Sequence, residues 1–205
     1  MALPSSGTIS LNEIHVEAGG SSGALATIND ADIRALIGKG DGVTMSFSEW
    51  YGASSGTVLT VTEGSDIFGS AAYYGFREER SPDIGSVSPT SLTFNSKAHP
   101  VRDAYRRVSR SGGVDNNTTS AFWLILYNAS DGTVPADDCF SSVAVQTSGA
   151  SATLAPAEAT IVTSGSGATG RKDWRWFSSD FTSTELTNFS AQWNGSGSST
   201  VTFTE

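Results

Sequence analysis

Apolar positions in the first fifty residues recur in one short phrase used three times. Gly7-Thr8-Ile9-Ser10-Leu11-Asn12-Glu13-Ile14 aligns with Ala26-Thr27-Ile28-Asn29-Asp30-Ala31-Asp32-Ile33 and with Val43-Thr44-Met45-Ser46-Phe47-Ser48-Glu49-Trp50. Each copy carries Thr, an apolar residue, a capping residue, two spacers, an acid and an apolar anchor. In Ser10–Glu13 and Ser46–Glu49 the Ser oxygen is placed to accept from the backbone N–H three residues on, while the Glu reaches back to the N–H of the cap. Each phrase therefore predicts the end of an extended stretch and the start of a helix, with Asn29 to Asp32 a weaker version of the same box. Ile33, Leu36 and Ile37 fall at helical spacing with Gly38 as a stop, which predicts a helix of two turns. Helices this short are not stable alone in water. Ile14, Ile33, Leu36 and Trp50 are thus expected to bury against one another or against a neighbouring chain. Fifty residues make a marginal core, and the repeat reads as an assembly or attachment module.

From Thr57 onward the period changes to two, with Val58, Thr60 and Thr62 opposite Leu59 and Val61, the pattern of a half-buried strand. Seven further strands are predicted at 71–76, 91–94, 121–127, 142–146, 159–163, 174–177 and 200–204. They are separated by turn chemistry such as Ser81-Pro82-Asp83, Ser88-Pro89, Ser111-Gly112-Gly113, Ser130-Asp131-Gly132 and the glycines of 165–170. Phe122, Leu124 and Leu126 point one way, Trp123, Ile125 and Tyr127 the other, so this strand is expected to be central and buried on both faces. The fold class read from the pattern is mainly β: an antiparallel β-sandwich over residues 57–205, preceded by a small N-terminal module of short strands and helices over residues 1–56.

Abundant Ser, Thr and Gly with 16% charged residues suit short strands and tight turns. The formal net charge of −9 argues against wrapping nucleic acid, whose phosphates it repels. Locally the balance reverses. Lys97, Arg102, Arg106, Arg107 and Arg110 lie close together with Asp103 as the sole acid among them, and are expected to form a helical stripe or a loop laid on an acidic neighbour. The single cysteine, Cys139, excludes an intrachain disulfide and multi-cysteine zinc sites, and reads as a buried small hydrophobe. The N-terminal residues show no basic region leading into an apolar core, and no segment approaches eighteen apolar residues. Neither a cleaved signal nor a membrane anchor is therefore expected.

Candidate chemistry is sparse, and no cofactor is implied. Asp137-Asp138 is an adjacent carboxylate pair, but neighbours on a strand face opposite sides, and the pair reads as a solvated loop entering a strand. His15 and His99 stand apart, His99 before Pro100 in an expected loop, with no nucleophile arranged beside either. No glycine-rich stretch has the context of a phosphate cradle. Trp174, Trp176 and Phe177 with Arg171, Lys172 and Arg175 have the makings of a stacking surface for sugars or bases. In a strand, however, Trp174 and Trp176 share one face and Arg175 takes the other. Arg102, Arg106 and Arg107, with Trp174, Arg175 and Trp176, are the candidate ligand or partner surface. The chain is not read as an enzyme.

The run Leu3-Pro4-Ser5-Ser6-Gly7-Thr8-Ile9-Ser10-Leu11 and the run Met45-Ser46-Phe47-Ser48-Glu49-Trp50-Tyr51-Gly52-Ala53-Ser54 resemble the two ends of an N-terminal module met in virion proteins of tailed bacteriophages. Phe47 and Trp50 stand where that module has smaller residues. The remainder resembles a β domain of the same kind of protein, through Leu59-Thr60-Val61, Tyr73-Tyr74-Gly75-Phe76, Ile84 to Thr90, Asp138 to Val145, Trp174-Arg175-Trp176 and Val201-Thr202-Phe203. The resemblance implies a structural component of the virion, homo-oligomeric, with tail, collar or capsid proteins as partners. It would be a tail fibre or tail-associated protein, with a head decoration or cement protein, or a module binding a host glycan or receptor, as alternatives. In that reading Ile9, Ile14, Ile28, Ile33, Met45 and Trp50 are the expected docking core.

Overall fold

The computed structural model describes residues 3–4, 6–37, 39–51, 56–78, 82–149 and 151–204. The chain divides into two units, one built on residues 1–56 and one on residues 57–203. The helix stop expected at Gly38, the boundary segment 52–55 and Ser81 of the predicted turn lie outside the described residues.

The first unit is built by its three phrases. Helix α1 (Leu11–Glu17) starts at a complete capping box: Glu13 N donates to Ser10 Oγ at 3.2 Å and Ser10 N to Glu13 Oε2 at 2.7 Å. The third phrase keeps the reciprocal pair but closes a single 3-10 turn, Phe47–Trp50, with Ser46 N donating to Glu49 Oε2 at 2.7 Å and Ser48 N to Ser46 Oγ. The middle phrase uses a different register from the one expected at Asn29–Asp32. Asp30 accepts from Thr27 N at 2.8 Å and from its hydroxyl at 2.7 Å, helix α2 (Ala31–Ala35) begins after it, and the Asn29 carbonyl accepts from Arg34 Nη1. Asn29 is thus not the cap, because its amide oxygen is occupied by a buried guanidinium. The three anchors Ile14, Ile33 and Trp50 are fully buried and form one core with Leu3; Ile9, Ile28 and Met45 pack around it. The expected short strands do not form among the described residues of this unit. The stretches before the helices are only a few residues long, and backbone N–H groups that a ladder would use, those of Ser10, Thr27 and Ser46, are held by the phrase's own carboxylates.

The second unit is an antiparallel β-sandwich. Its strands are β1 (Thr57–Thr62), β2 (Gly64–Phe68), β3 (Ala71–Arg77), β4 (Ser86–Ser88), β5 (Ser91–Phe94), β6 (Lys97–Ser111), β7 (Val114–Tyr127), β8 (Ser142–Val145), β9 (Ala152–Leu154), β10 (Thr160–Ser164), β11 (Arg171–Trp176) and β12 (Ser198–Thr204), with helix α3 (Ser183–Gln192) between the last two. One sheet runs β4-β1-β12-β8-β9; the other runs β10-β11-β7-β6-β3-β2, with β5 added on β6. The core between them takes Leu59 and Val61 from β1, Val143 and Val145 from β8, and Val201 and Phe203 from β12. Facing these are Phe122, Leu124 and Leu126 from β7 and Trp174 and Trp176 from β11. Period-two burial on the inward faces fixes this register, since a slip of one residue would turn every one of these side chains outward.

Four of the twelve strands, β2, β4, β6 and β9, are absent from the sequence-based set, and β6 corrects an expectation. The basic segment is an extended strand, not a helical stripe or a loop, and His99 is buried within it. Helix α3 was also not expected. It carries a complete capping box, Glu185 N to Thr182 Oγ1 at 3.2 Å and Thr182 N to Glu185 Oε2 at 2.7 Å, and buries Phe189 against Phe181, Phe122 and Trp193. Cys139 is buried.

Candidate functional site

The anchors of the first unit are turned inward and offer no surface to a partner. Ile14, Ile33 and Trp50 have no exposed surface, and the Trp50 indole donates to Ile33 O at 3.1 Å. The residues expected as a docking core are instead the internal core of the unit: they bury against one another. What the unit leaves outward is a separate set, Val16, Leu25, Val43 and Phe47, each exposed by more than two fifths and Leu25 entirely. Beside Val16 lies a groove of about 500 Å³ lined by Leu3, Pro4, Asn12, Glu13 and Ser22. The loop leading to Leu25 is pinned, with Gly23 N donating to Asn12 Oδ1 at 2.7 Å and Asn12 Nδ2 to Ser22 Oγ at 3.4 Å. Glu13, Asp30 and Glu49 are held ionised below the ordinary carboxylate range. Hydrogen bonds from Ser10 do this for Glu13, those from Thr27 for Asp30, and the Lys39 ammonium followed by Ser46 N–H for Glu49. They serve as helix caps.

In the second unit the predicted surface residues separate. Trp174 and Trp176 are fully buried in the sandwich core, their indole N–H groups donating to Asp137 O at 3.2 Å and Ala155 O at 2.8 Å, so neither offers a stacking face. Arg175 lies on the opposite, outer face of the larger sheet, as alternation requires. There its guanidinium sits 4.1 Å above the Trp123 ring, and Trp123 stacks on Tyr105 at 5.6 Å. Tyr105 meets the edge of Tyr73, and Arg77 covers both tyrosines, 4.1 Å above Tyr73. The strand register explains the arrangement, since Tyr105, Trp123 and Arg175 are directly opposite on β6, β7 and β11. Asp173, buried, pairs with Arg175 at 2.7 Å and Arg171 at 3.5 Å. The Trp123 Nε1 has no acceptor among the described residues. Trp123, Tyr105, Tyr73 and Arg77 were not singled out as a surface by sequence; the alternation along 121–127 was the signal for Trp123.

The basic stretch is not a free cationic face. Arg102 pairs with Asp103 at 2.6 Å, Arg110 with Asp115 at 2.8 Å and Lys97 with Asp131 at 2.5 Å. Arg107, half-buried, stands opposite Tyr73 and Ala121. Arg106 is buried on the inner face. It donates from Nη1 to Trp193 O at 2.9 Å, from Nε to Ser120 Oγ at 3.0 Å and from Nη2 to Asn117 Oδ1 at 2.6 Å. On the far side of the same peptide, Asn194 N donates to Glu63 Oε2 at 3.0 Å, followed by Gly195 N at 2.9 Å. A cation and an anion thus grip the two ends of the Trp193–Asn194 peptide, the guanidinium satisfying a carbonyl at the end of α3 and the carboxylate joining Gln192 O as a partner of the Asn194 N–H. Burial lowers the Arg106 pKa, and the negative charges of Asp115 and Glu63 oppose that shift.

Asp137 is exposed in its loop and ion-paired with Lys172. His99 contacts Tyr127 O through Nδ1 at 3.3 Å and stacks on Phe94. Among the described residues, no group of three or more His, Cys, Asp or Glu side chains is arranged to hold a metal ion, and no helix is long and apolar enough to cross a membrane. Comparison with protein-family models, curated proteins and solved structures finds no match to this chain.

Proposed function

We propose that this chain is a structural component of a tailed-phage virion, in which residues 1–56 dock on the particle and the β-sandwich is displayed on its surface, as a tail fibre or tail-associated protein. The observation that carries the reading is the division of labour within the first unit. Its core closes on Leu3, Ile14, Ile33 and Trp50, yet Val16, Leu25, Val43 and Phe47 remain outward. A unit this small with that much apolar surface in water is suited to being covered by a partner. The resemblance of residues 3–11 and 45–54 to the ends of a phage virion module supplies the kind of partner: a tail, collar or capsid protein. A homo-oligomeric arrangement is part of the same reading.

The test is incorporation of charged surface variants. Leu25→Glu with Val43→Glu changes outward side chains that do not belong to the buried core, so the protein should fold and yet be missing from purified particles when it is supplied in place of the wild-type chain. Particles that carry the double variant at wild-type copy number would refute docking through this face. A glycan-contacting role for the β domain is favoured by a separate observation, a hydroxyl-lined cavity beside α3.

A further inference from the structure

We infer that the cavity between β7 and α3 is a binding site for a neutral sugar. It has a volume of about 530 Å³ and is lined by Asn117, Thr118, Leu186, Thr187, Ser190 and Ala191, among others, a size that suits a small ligand. Its strand wall exists because the ladder is interrupted. Arg107 pairs with Ala121 and Ser109 with Asn116, so residues 117–120 stand against Val108 alone. Thr119 fixes this bulge, its hydroxyl donating to Asn116 O at 2.8 Å and accepting from Ser109 N at 3.0 Å. A bulge of this kind re-aims side chains away from the regular pleat.

The hydrogen bonds behind the wall decide what the cavity presents. A guanidinium only donates, so the Asn117 atom held by Arg106 Nη2 is the oxygen, and its NH₂ is left for the cavity. Ser120 Oγ accepts from Arg106 Nε and shares a hydrogen bond with Ser190 Oγ at 3.2 Å, in which either hydroxyl can donate. The two threonines are set the opposite way. Thr118 donates to Asn116 Oδ1 at 2.7 Å and Thr187 to Ser183 O at 3.0 Å, which leaves their lone pairs as acceptors. One directed donor and two directed acceptors thus surround the apolar side chains Leu186 and Ala191, and every lining residue is neutral.

Sugar hydroxyls both donate and accept, and a pyranose ring has an apolar C–H face, so a neutral sugar satisfies all three kinds of surface. A carboxylate, sulfate or phosphate offers acceptors alone and would oppose Thr118 and Thr187. The inference stands whether or not the chain belongs to a virion.

The test is a titration of the full ¹⁵N-labelled chain, followed by amide spectra. The probes are methyl α-D-mannopyranoside, methyl β-D-glucopyranoside, methyl β-D-galactopyranoside and N-acetylglucosamine, each to roughly 50 mM, with sodium sulfate and sodium glucuronate for comparison. At least one neutral sugar should shift the Asn117 side-chain amide and the backbone of 117–118 and 186–191 saturably. Asn117→Asp retains the oxygen that Arg106 needs and turns the outward donor into an acceptor. Thr187→Val keeps the shape and removes an acceptor. Each should weaken binding by roughly tenfold with the spectrum otherwise unchanged. No saturable shift with any of the four sugars, shifts confined to other residues, tighter binding of sulfate or glucuronate at this cavity, or wild-type affinity in both variants would each overturn the assignment.

Discussion

Trp50→Ala measures how much one anchor contributes to the N-terminal unit. Trp50 is fully buried, lies 5.9 Å from the Phe47 ring and donates its indole N–H to Ile33 O. Truncating a buried Trp to Ala costs about 3–5 kcal/mol, and the Ile33 carbonyl stranded without its donor adds about 1–3 kcal/mol. At roughly 0.05–0.15 kcal/mol per residue, a unit of residues 1–56 has about 3–8 kcal/mol of stability in all. The loss therefore matches the whole, and Trp50→Ala should unfold this unit under conditions where the sandwich persists. Trp50→Phe keeps a ring in the core and loses the donor and part of the volume, so its unit should be weakened but folded. Amide spectra resolve the two outcomes. In Trp50→Ala the dispersed resonances of Ile14 and Ile33 should collapse toward random-coil positions, while those of Leu124, Trp174 and Val201 stay in place. Native positions for Ile14 and Ile33 in that variant would show that the anchors do not form one cooperative core.

The pH dependence of the sandwich should carry a contribution from His99. Burial holds its pKa below the ordinary imidazole value, with the Tyr127 carbonyl and Asp131 opposing the shift and Lys172 assisting it. The unfolded chain takes up this proton near pH ~6.5 and the folded chain only at lower pH. Stability is thus lost as pH falls through about 6.5; the urea midpoint should drop between pH ~7.5 and ~5.5 in the wild type and drop less in His99→Asn, and equal drops would exclude His99 as a source. Arg106 and Glu63 should couple through the peptide they share. Arg106→Met alone should cost about 2–6 kcal/mol because it strands the Trp193 carbonyl and the buried Ser120 hydroxyl, while the Arg106→Met/Glu63→Gln pair should fall short of additivity by about 1–3 kcal/mol in a denaturation cycle. Strict additivity would refute the bridge.

What the sequence revealed follows from which interactions are local. Leu59 and Val61, or Phe122, Leu124 and Leu126, alternate with residues of the other face, and burial of one side of a sheet is written into such alternation. The same rule separated Arg175 from Trp174 and Trp176, although only the structure placed the tryptophans inside. Strand β6 escaped because Arg102, Asp103 and Arg106 are charged yet buried. Arg106 belongs in the interior only because Ser120, Asn117 and Trp193 bring it acceptors from far along the chain. Helix α3 was legible in Thr182–Glu185 followed by Leu186, Phe189 and Trp193, but it sits within a Ser- and Thr-rich stretch that reads equally as turn. The register of the middle phrase depended on whether Asn29 or Asp30 meets a free N–H, and Arg34 decided it.

The three-phrase construction of the first unit separates heritable architecture from negotiable exterior. Each phrase delivers its own cap and one interior anchor, so the intervening loop 19–25 contributes no anchor to the shared interior. Replacements at Ser21, Ala24 and Leu25 can accumulate while the capped turns keep their places, whereas Gly19 and Gly20 close the end of α1 on Val16 O and His15 O. A protein of this design is able to exchange the surface it offers without renegotiating how it folds.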